Sequence, residues 1–258
     1  MGRLRVYGTV FNNANRVELA LASIAPLRPA KIYIADNDST DGTTQLLMKH
    51  KDVVVIREKC NRGKGKRLAL ERLLQDAAPD DPIIMIDLDT VYKPAYRALV
   101  KRKIRTLKDN EMYDDIGQLA TAKTMKRIPW RDTPNSEDLE RFARAISIGI
   151  KLYKLDKDPT LENEYFQNET GIKGLREARY AKNPISLGIR LFNETVSVER
   201  NEAYRSFRDF YAHFYTFKSP MYMPIFAVSY IIANIMGIYA YDPKLSNVEY
   251  IKQHVIKI

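Results

Sequence analysis

The chain has 258 residues, 45% hydrophobic and 29% charged, a balance that excludes a disordered or low-complexity protein and allows one sizeable core. Cys60 is the single cysteine, which excludes an intrachain disulfide and suits a reducing compartment. The net charge of +10 favours anionic partners such as nucleotide phosphates, lipid head groups or nucleic acid, without choosing among them.

Strand and helix signals alternate over the first ninety residues. Leu4 to Val10 reads as a strand, and Asn15 is placed to cap a helix carrying Val17, Leu19, Leu21 and Ile24. Lys31 to Ala35 is a second strand, followed by an Asp-rich turn from Asp36 to Gly42 and a helix with Leu46 and Leu47. Asp41 or Thr40 is placed to cap that helix. Val53 to Ile56 is a third strand, Gly63 to Ala77 a third helix, and Pro82 to Ile86 a fourth strand ending at Asp87. These strands are continuous apolar runs, as expected of a parallel sheet covered on both faces. The repeated βα spacing predicts a doubly wound α/β domain. Asp36, Cys60-Asn61-Arg62 and Asp87 to Asp89 fall just past strand ends, where ligands of such sheets bind.

After Asp89 the pattern loosens. Tyr92 to Lys108 reads as a helix with Lys93, Arg97, Lys101 and Arg105 as a basic stripe, and Ile116 to Ala122 as a strand. Glu137 to Ile148 reads as a helix and Lys151 to Leu155 as a strand. Ser219 to Tyr241 holds no charged residue and is long enough to span a membrane. Pro224, Ser229, Asn234 and Gly237 lower its hydropathy, so a helix lying on a membrane, or a buried C-terminal helix, is preferred to a span. The N-terminal residues lack the apolar stretch of a signal peptide, and a cytoplasmic location, peripheral on the membrane through 219–241, is expected.

Four constellations carry chemistry. Asp87-Leu88-Asp89 can present two carboxylates to Mg²⁺ or Mn²⁺, or be a solvated acidic turn. Asp36 to Thr43 can offer carboxylates to a base or ribose, or serve as turn and cap. In Asn61-Arg62-Gly63-Lys64-Gly65-Lys66-Arg67 the glycines allow close approach of a ligand to the start of a helix. In Asn135-Ser136-Glu137-Asp138 the serine reads as an N-cap and the acidic pair as first-turn dipole partners. His213 lies among aromatics, as a core residue or a ligand, and Trp130 could stack on a sugar ring or anchor a loop.

In this order and spacing, Val6 to Asp89 resembles the donor half of family 2 glycosyltransferases with the GT-A fold. The match runs through Phe11-Asn12, Asp36-Asn37-Asp38-Ser39-Thr40-Asp41-Gly42-Thr43, Asn61 to Gly65 and the Asp87–Asp89 pair. Thr9-Val10-Phe11 and Asn37 depart from the usual pattern. The resemblance implies a mostly parallel, Rossmann-like domain with a donor half at 1–90, an acceptor half at 91–182 and a mainly helical, Tyr-rich extension at 183–258. It implies that Thr9, Asp36, Asp38, Asn61, Lys64 and Asp87 contact a nucleoside-diphosphate sugar, with a UDP-sugar ranked before a GDP-sugar. Asp89, with Asp87 and a C-terminal histidine such as His213, would hold Mn²⁺ or Mg²⁺. Glu137-Asp138 resembles the family's acidic pair beneath the acceptor, with Asp138 as general base and inversion at the anomeric carbon. The acceptor would be a glycan, small molecule or lipid phosphate, with a membrane surface ranked before nucleic acid as the anionic partner. A glycosyltransferase acting on modified DNA bases and a non-catalytic nucleotide-sugar binder are the alternatives.

Overall fold

A computed structural model describes residues 2–131, 137–155, 164–165 and 247–258. The chain opens with three βα units. Strand β1 (Arg5–Val10) leads to helix α1 (Val17–Ile24), β2 (Lys31–Asp36) to the short α2 (Thr43–Leu47), and β3 (Val53–Arg57) to the 15-residue α3 (Arg62–Asp76). Strand β4 (Pro82–Asp87), the two-residue β5 (Thr90–Val91) and α4 (Pro94–Ile104) follow. Next come β6 (Glu111–Tyr113), β7 (Ala120–Thr121) and α5 (Ala122–Arg127). The other described elements are α6 (Glu137–Ser147), β8 (Lys151–Lys154), β9 (Glu164–Tyr165), α7 (Asn247–His254) and β10 (Ile256–Lys257).

The central sheet has the order β3-β2-β1-β4-β7, parallel except for β7. It is the mostly parallel, doubly wound sheet the apolar runs predicted. Successive residues of each strand face opposite sides. Val6, Ile34 and Ile84 meet α1 and α4 residues such as Leu21, Ile24, Leu99 and Val100 in one core. Tyr7, Tyr33 and Ile83 meet Leu70 and Leu73 of α3 and Phe142 of α6 in the other. Register decides what gathers at the carboxyl edge: Thr9 lies beside Ala35 on one strand and Asp87 on the other, and Asp36 lies beside Val10 and Arg57. A second sheet, β10-β8-β6, is parallel, and α7 packs on α6.

Three local expectations are corrected. Asn15 does not cap α1; the turn is made by the Asn13 carbonyl, which accepts from Arg16 N–H at 3.1 Å and Val17 N–H at 3.0 Å. The 116–122 stretch is not one strand. Gly117 (φ 68) and Gln118 (φ 53) are both left-handed and break it, Leu119 makes a single bridge to Tyr113, Ala120–Thr121 pairs with β4, and Thr121 then caps the unforeseen helix α5 through Thr124 N–H. The basic stripe on α4 is interrupted, because Arg97 turns inward to donate to the carbonyls of Ser23 at 3.0 Å and Tyr92 at 2.5 Å. Among the described residues no helix is long and apolar enough to cross a membrane. His213 and Ser219–Tyr241 lie outside the described residues.

Candidate active site

The loop after β1 and the loop after β2 are laced together by side chains. Ser39 Oγ accepts from Asn12 N–H at 2.9 Å, Thr43 Oγ1 from Asn13 N–H at 2.8 Å, and Asp41 Oδ2 from Ala14 N–H at 2.9 Å. In return Asn12 Oδ1 accepts from Thr40 N–H, and Asn13 Nδ2 donates to the Leu88 carbonyl beyond β4. Asp36 is fully buried beneath this turn. Its Oδ1 accepts from the Ser39 N–H and hydroxyl, and its Oδ2 from the Thr44 hydroxyl. Asp41 Oδ1 accepts from Thr43 N–H at the start of α2, so it does serve that helix end. Asp38 stands half exposed in an ion pair with Arg57 at 2.8 Å.

The Asn61–Arg67 segment is the first turn of α3 rather than a free loop. Asn61 is its N-cap, and its Oδ1 accepts from Lys64 N–H at 2.8 Å. Gly65 allows that turn to sit against the end of β1: a Cβ there would lie 3.0 Å from Thr9 Cγ2 and 3.2 Å from Cys60 Sγ. Lys64 points outward and pairs with Glu58. Lys66 points inward and is 4% exposed.

Asp87 closes β4 and Asp89 lies two residues beyond it; both are open to solvent. Although solvent reaches it, Asp87 is crowded enough by protein that desolvation raises its carboxyl above the usual range; Lys66 opposes this, Asp89 adds to it, Arg62 opposes, and Asp138 adds. Those influences place the end of β4, the start of α3 and the start of α6 in one electrostatic environment. Among the described residues no cluster of three or more His, Cys, Asp or Glu is arranged to hold a metal ion. A pair of carboxylates nevertheless fits Mg²⁺ or Mn²⁺ of the kind that takes its other ligands from substrate phosphates.

At the start of α6, Glu137 is 3% exposed and Asp138 has 40% of its side chain exposed. Lys66 serves both: its Nζ donates to Asp138 Oδ1 at 3.0 Å and lies 3.1 Å from Glu137 Oε1, at ion-pair distance but outside hydrogen-bonding angles. Burial alone would lower the Lys66 pKa, but Asp138 and then Glu137 outweigh it and the ammonium is held above its usual value. The same nitrogen sits 4.4 Å from the centre of the Trp130 ring. Trp130 is 1% exposed and donates to Tyr7 Oη at 2.9 Å, so it anchors its loop in the core and does not offer a face to a sugar.

Sequence reasoning missed three residues here: Lys66, Gln118 and Arg141. Two had a signal. Lys66 stands at the spacing of Ala69, Leu70 and Leu73 on the buried face of α3, and Arg141 at that of Glu137 and Ala145 on α6. A cation at an apolar position implies a buried partner. Gln118 had none, because its place depends on the left-handed turn.

A parallel β3-β2-β1-β4 sheet with carboxylates past β4 and an acidic pair opening a later helix is the arrangement of a GT-A glycosyltransferase. Residues 8–154, more than half of the chain, match the family model for glycosyl transferase family 2, and the chain belongs to that family. It is a glycosyltransferase. Its fold is similar to that of the mannosyltransferase PcManGT from Pyrobaculum calidifontis, in complex with GDP-mannose and Mn²⁺ (17% identity, TM-score 0.51, covering 92% of this chain and 76% of that one). It is also similar to residues 1–349 of S. aureus TarS (12% identity, TM-score 0.55, covering 88% and 78%). No curated protein matches the chain.

Proposed function

We propose that the chain transfers a sugar from a nucleoside-diphosphate sugar to an acceptor hydroxyl with inversion at the anomeric carbon, using Asp138 as the base. The observation that carries this reading is geometric: the first turns of α3 sit against Thr9, which lies beside Asp87 at the carboxyl edge of the sheet, and Lys66 of the same helix holds Asp138 of α6 at 3.0 Å. One carboxylate pair is then available to the donor diphosphate and another carboxylate to the acceptor. Asp89 and Asp87 would hold Mn²⁺ or Mg²⁺, which when bound offsets the charge growing on the departing diphosphate. The similar fold of PcManGT, with GDP-mannose and Mn²⁺, supports that cofactor. His213, outside the described residues, is kept as a candidate third ligand.

Around the donor, Asp36 braces the turn from below, while Asp38, Asn61 and Lys64 rim it and Thr9 lines the end of β1. Asp138 is the accessible member of the acidic pair; Glu137 is the buried counter-ion of Lys66. The acceptor is a glycan, small molecule or lipid phosphate, and the net charge of +10 favours an anionic one. The test is thermal shift with UDP and GDP, each with Mn²⁺. One nucleotide should raise the wild-type melting temperature by mass action, and Asp89→Ala should lose most of that shift while melting normally without ligand. An equal shift in Asp89→Ala would sink the metal assignment.

A further inference from the structure

Both hydrogen bonds that the Asp138 carboxylate accepts go to one oxygen. Oδ1 takes Lys66 Nζ at 3.0 Å and Gln118 Nε2 at 2.8 Å. Among the described residues Oδ2 takes none. The side chain is 40% exposed, so that free oxygen belongs to the open part of the site.

Gln118 has no freedom to turn its amide round. Its Oε1 accepts from Arg141 Nη1, and a guanidinium can only donate, so the Gln118 NH₂ must face Asp138. Arg141 is itself fully buried. Its Nε donates to the Ile128 carbonyl at 2.9 Å, its Nη1 also reaches Tyr7 Oη at 3.3 Å, and its guanidinium lies 4.3 Å from the Trp130 ring centre. Gln118 is 3% exposed and its backbone is left-handed at φ 53, a conformation a non-glycine residue holds only where its surroundings enforce it. A glutamine held this firmly, with one amide hydrogen aimed at one carboxylate oxygen, sets an orientation.

We infer that Gln118, together with Lys66, is a positioning residue for Asp138: the two donors capture Oδ1 and reserve Oδ2 for the acceptor hydroxyl. This rests on the reading of Asp138 as the base. In that step the acceptor oxygen forms a bond to the anomeric carbon and gives its proton to Oδ2. The bond from that carbon to the diphosphate oxygen breaks, and its electron pair leaves with the diphosphate. An oxygen already holding two donors would have to release one before taking the proton; Oδ2 does not.

The experiment uses the full chain, with water standing in for the acceptor. Release of nucleoside diphosphate from a panel of UDP- and GDP-sugars with Mn²⁺ is followed in wild type, Asp138→Asn, Gln118→Glu, Lys66→Met and Lys66→Arg. Gln118→Glu keeps its length and pairs with the buried Arg141 guanidinium, which holds it ionised and offsets the repulsion from Asp138, so its melting temperature should stay near that of wild type, while an oxygen replaces the hydrogen that Gln118 gave Asp138. Its kcat should drop by about tenfold or more, the scale of a misplaced reacting group, with the donor KM unchanged. Lys66→Arg should keep more activity than Lys66→Met. Asp138→Asn should lose turnover while still being stabilised by nucleotide and Mn²⁺. Turnover in Asp138→Asn at the wild-type rate would remove the base reading itself. An inactive Asp138→Asn beside a Gln118→Glu with wild-type kcat, or with kcat lost only in step with donor KM or melting temperature, would overturn the positioning role and leave the base reading standing. A wild type that releases nucleoside diphosphate from none of the donors would also overturn it, since a free Oδ2 beside the anomeric carbon activates water as it does an acceptor.

Discussion

Gly117 occupies a point where two requirements meet. Its φ of 68 lies in the left-handed region, and a Cβ there would collide with the Met85 carbonyl oxygen of β4. The close approach is used: the Gly117 carbonyl accepts from Met85 N–H at 2.7 Å, which pins the turn to the sheet and delivers Gln118 to its place. Gly117→Ala should therefore cost about 2–5 kcal/mol, the sum of a left-handed backbone penalty and a forced shift of packed atoms. Urea unfolding monitored by circular dichroism measures it, and a change below about 0.5 kcal/mol would mean the turn relaxes freely.

At the scale of elements, β1 and β4 are joined at their starts as well as along their ladder. Asp81, just before β4, is 3% exposed. It accepts from Arg5 Nε at 2.6 Å, Arg3 N–H at 2.7 Å and Ala78 N–H at 3.1 Å. Burial by itself would raise its carboxyl pKa, but the Arg5 side chain and those two amides outweigh burial and hold it below the usual carboxylate range. A depressed folded pKa stabilises above the unfolded value and loses that contribution as pH falls through the folded one. Asp81→Asn should thus destabilise by about 3 kcal/mol at pH 7, as expected for breaking a buried ion pair. The gap from wild type should close as pH falls below about 4, where the unfolded carboxyl takes its proton. Urea midpoints at pH 7, 5 and 3 test this, and a gap constant across them would argue against the charge as its origin.

At the scale of the whole molecule, the acidic pair is supported from far along the chain. Helix α6 carries Glu137 and Asp138 at one end, and α7 packs on it, with Ile251 and Val255 against the core that holds Trp130 and Phe142. Strand β10 then extends β8 in parallel, pairing Ile256 with Tyr153. The C-terminal dozen residues thus brace the helix that carries the acidic pair. Ile251→Asp should lower stability by about 1–3 kcal/mol through lost apolar burial. If the proposed division of roles holds, it should reduce nucleoside-diphosphate release more than it reduces nucleotide binding, because α7 packs chiefly on the helix of Asp138 rather than on β1 to β4. Equal losses of both would place the brace elsewhere.

The sequence alone was enough for the sheet, its four parallel strands, the helices α3 and α6, and the carboxylates past the strand ends. Those follow from local rules: continuous β-branched runs, 3.6-residue periodicity and the turn residues Asp36 to Gly42. It was enough for the family too, because an ordered set of short motifs survives where no single motif is specific. The tertiary structure alone decided that Lys64 faces outward and Lys66 inward, that Trp130 is an anchor, and that Gln118 reaches Asp138 from twenty residues away. Each of these depends on which side chains share a buried space. A buried lysine is affordable only because two carboxylates from α6 arrive beside it, and no local pattern in Asn61 to Arg67 records that arrival.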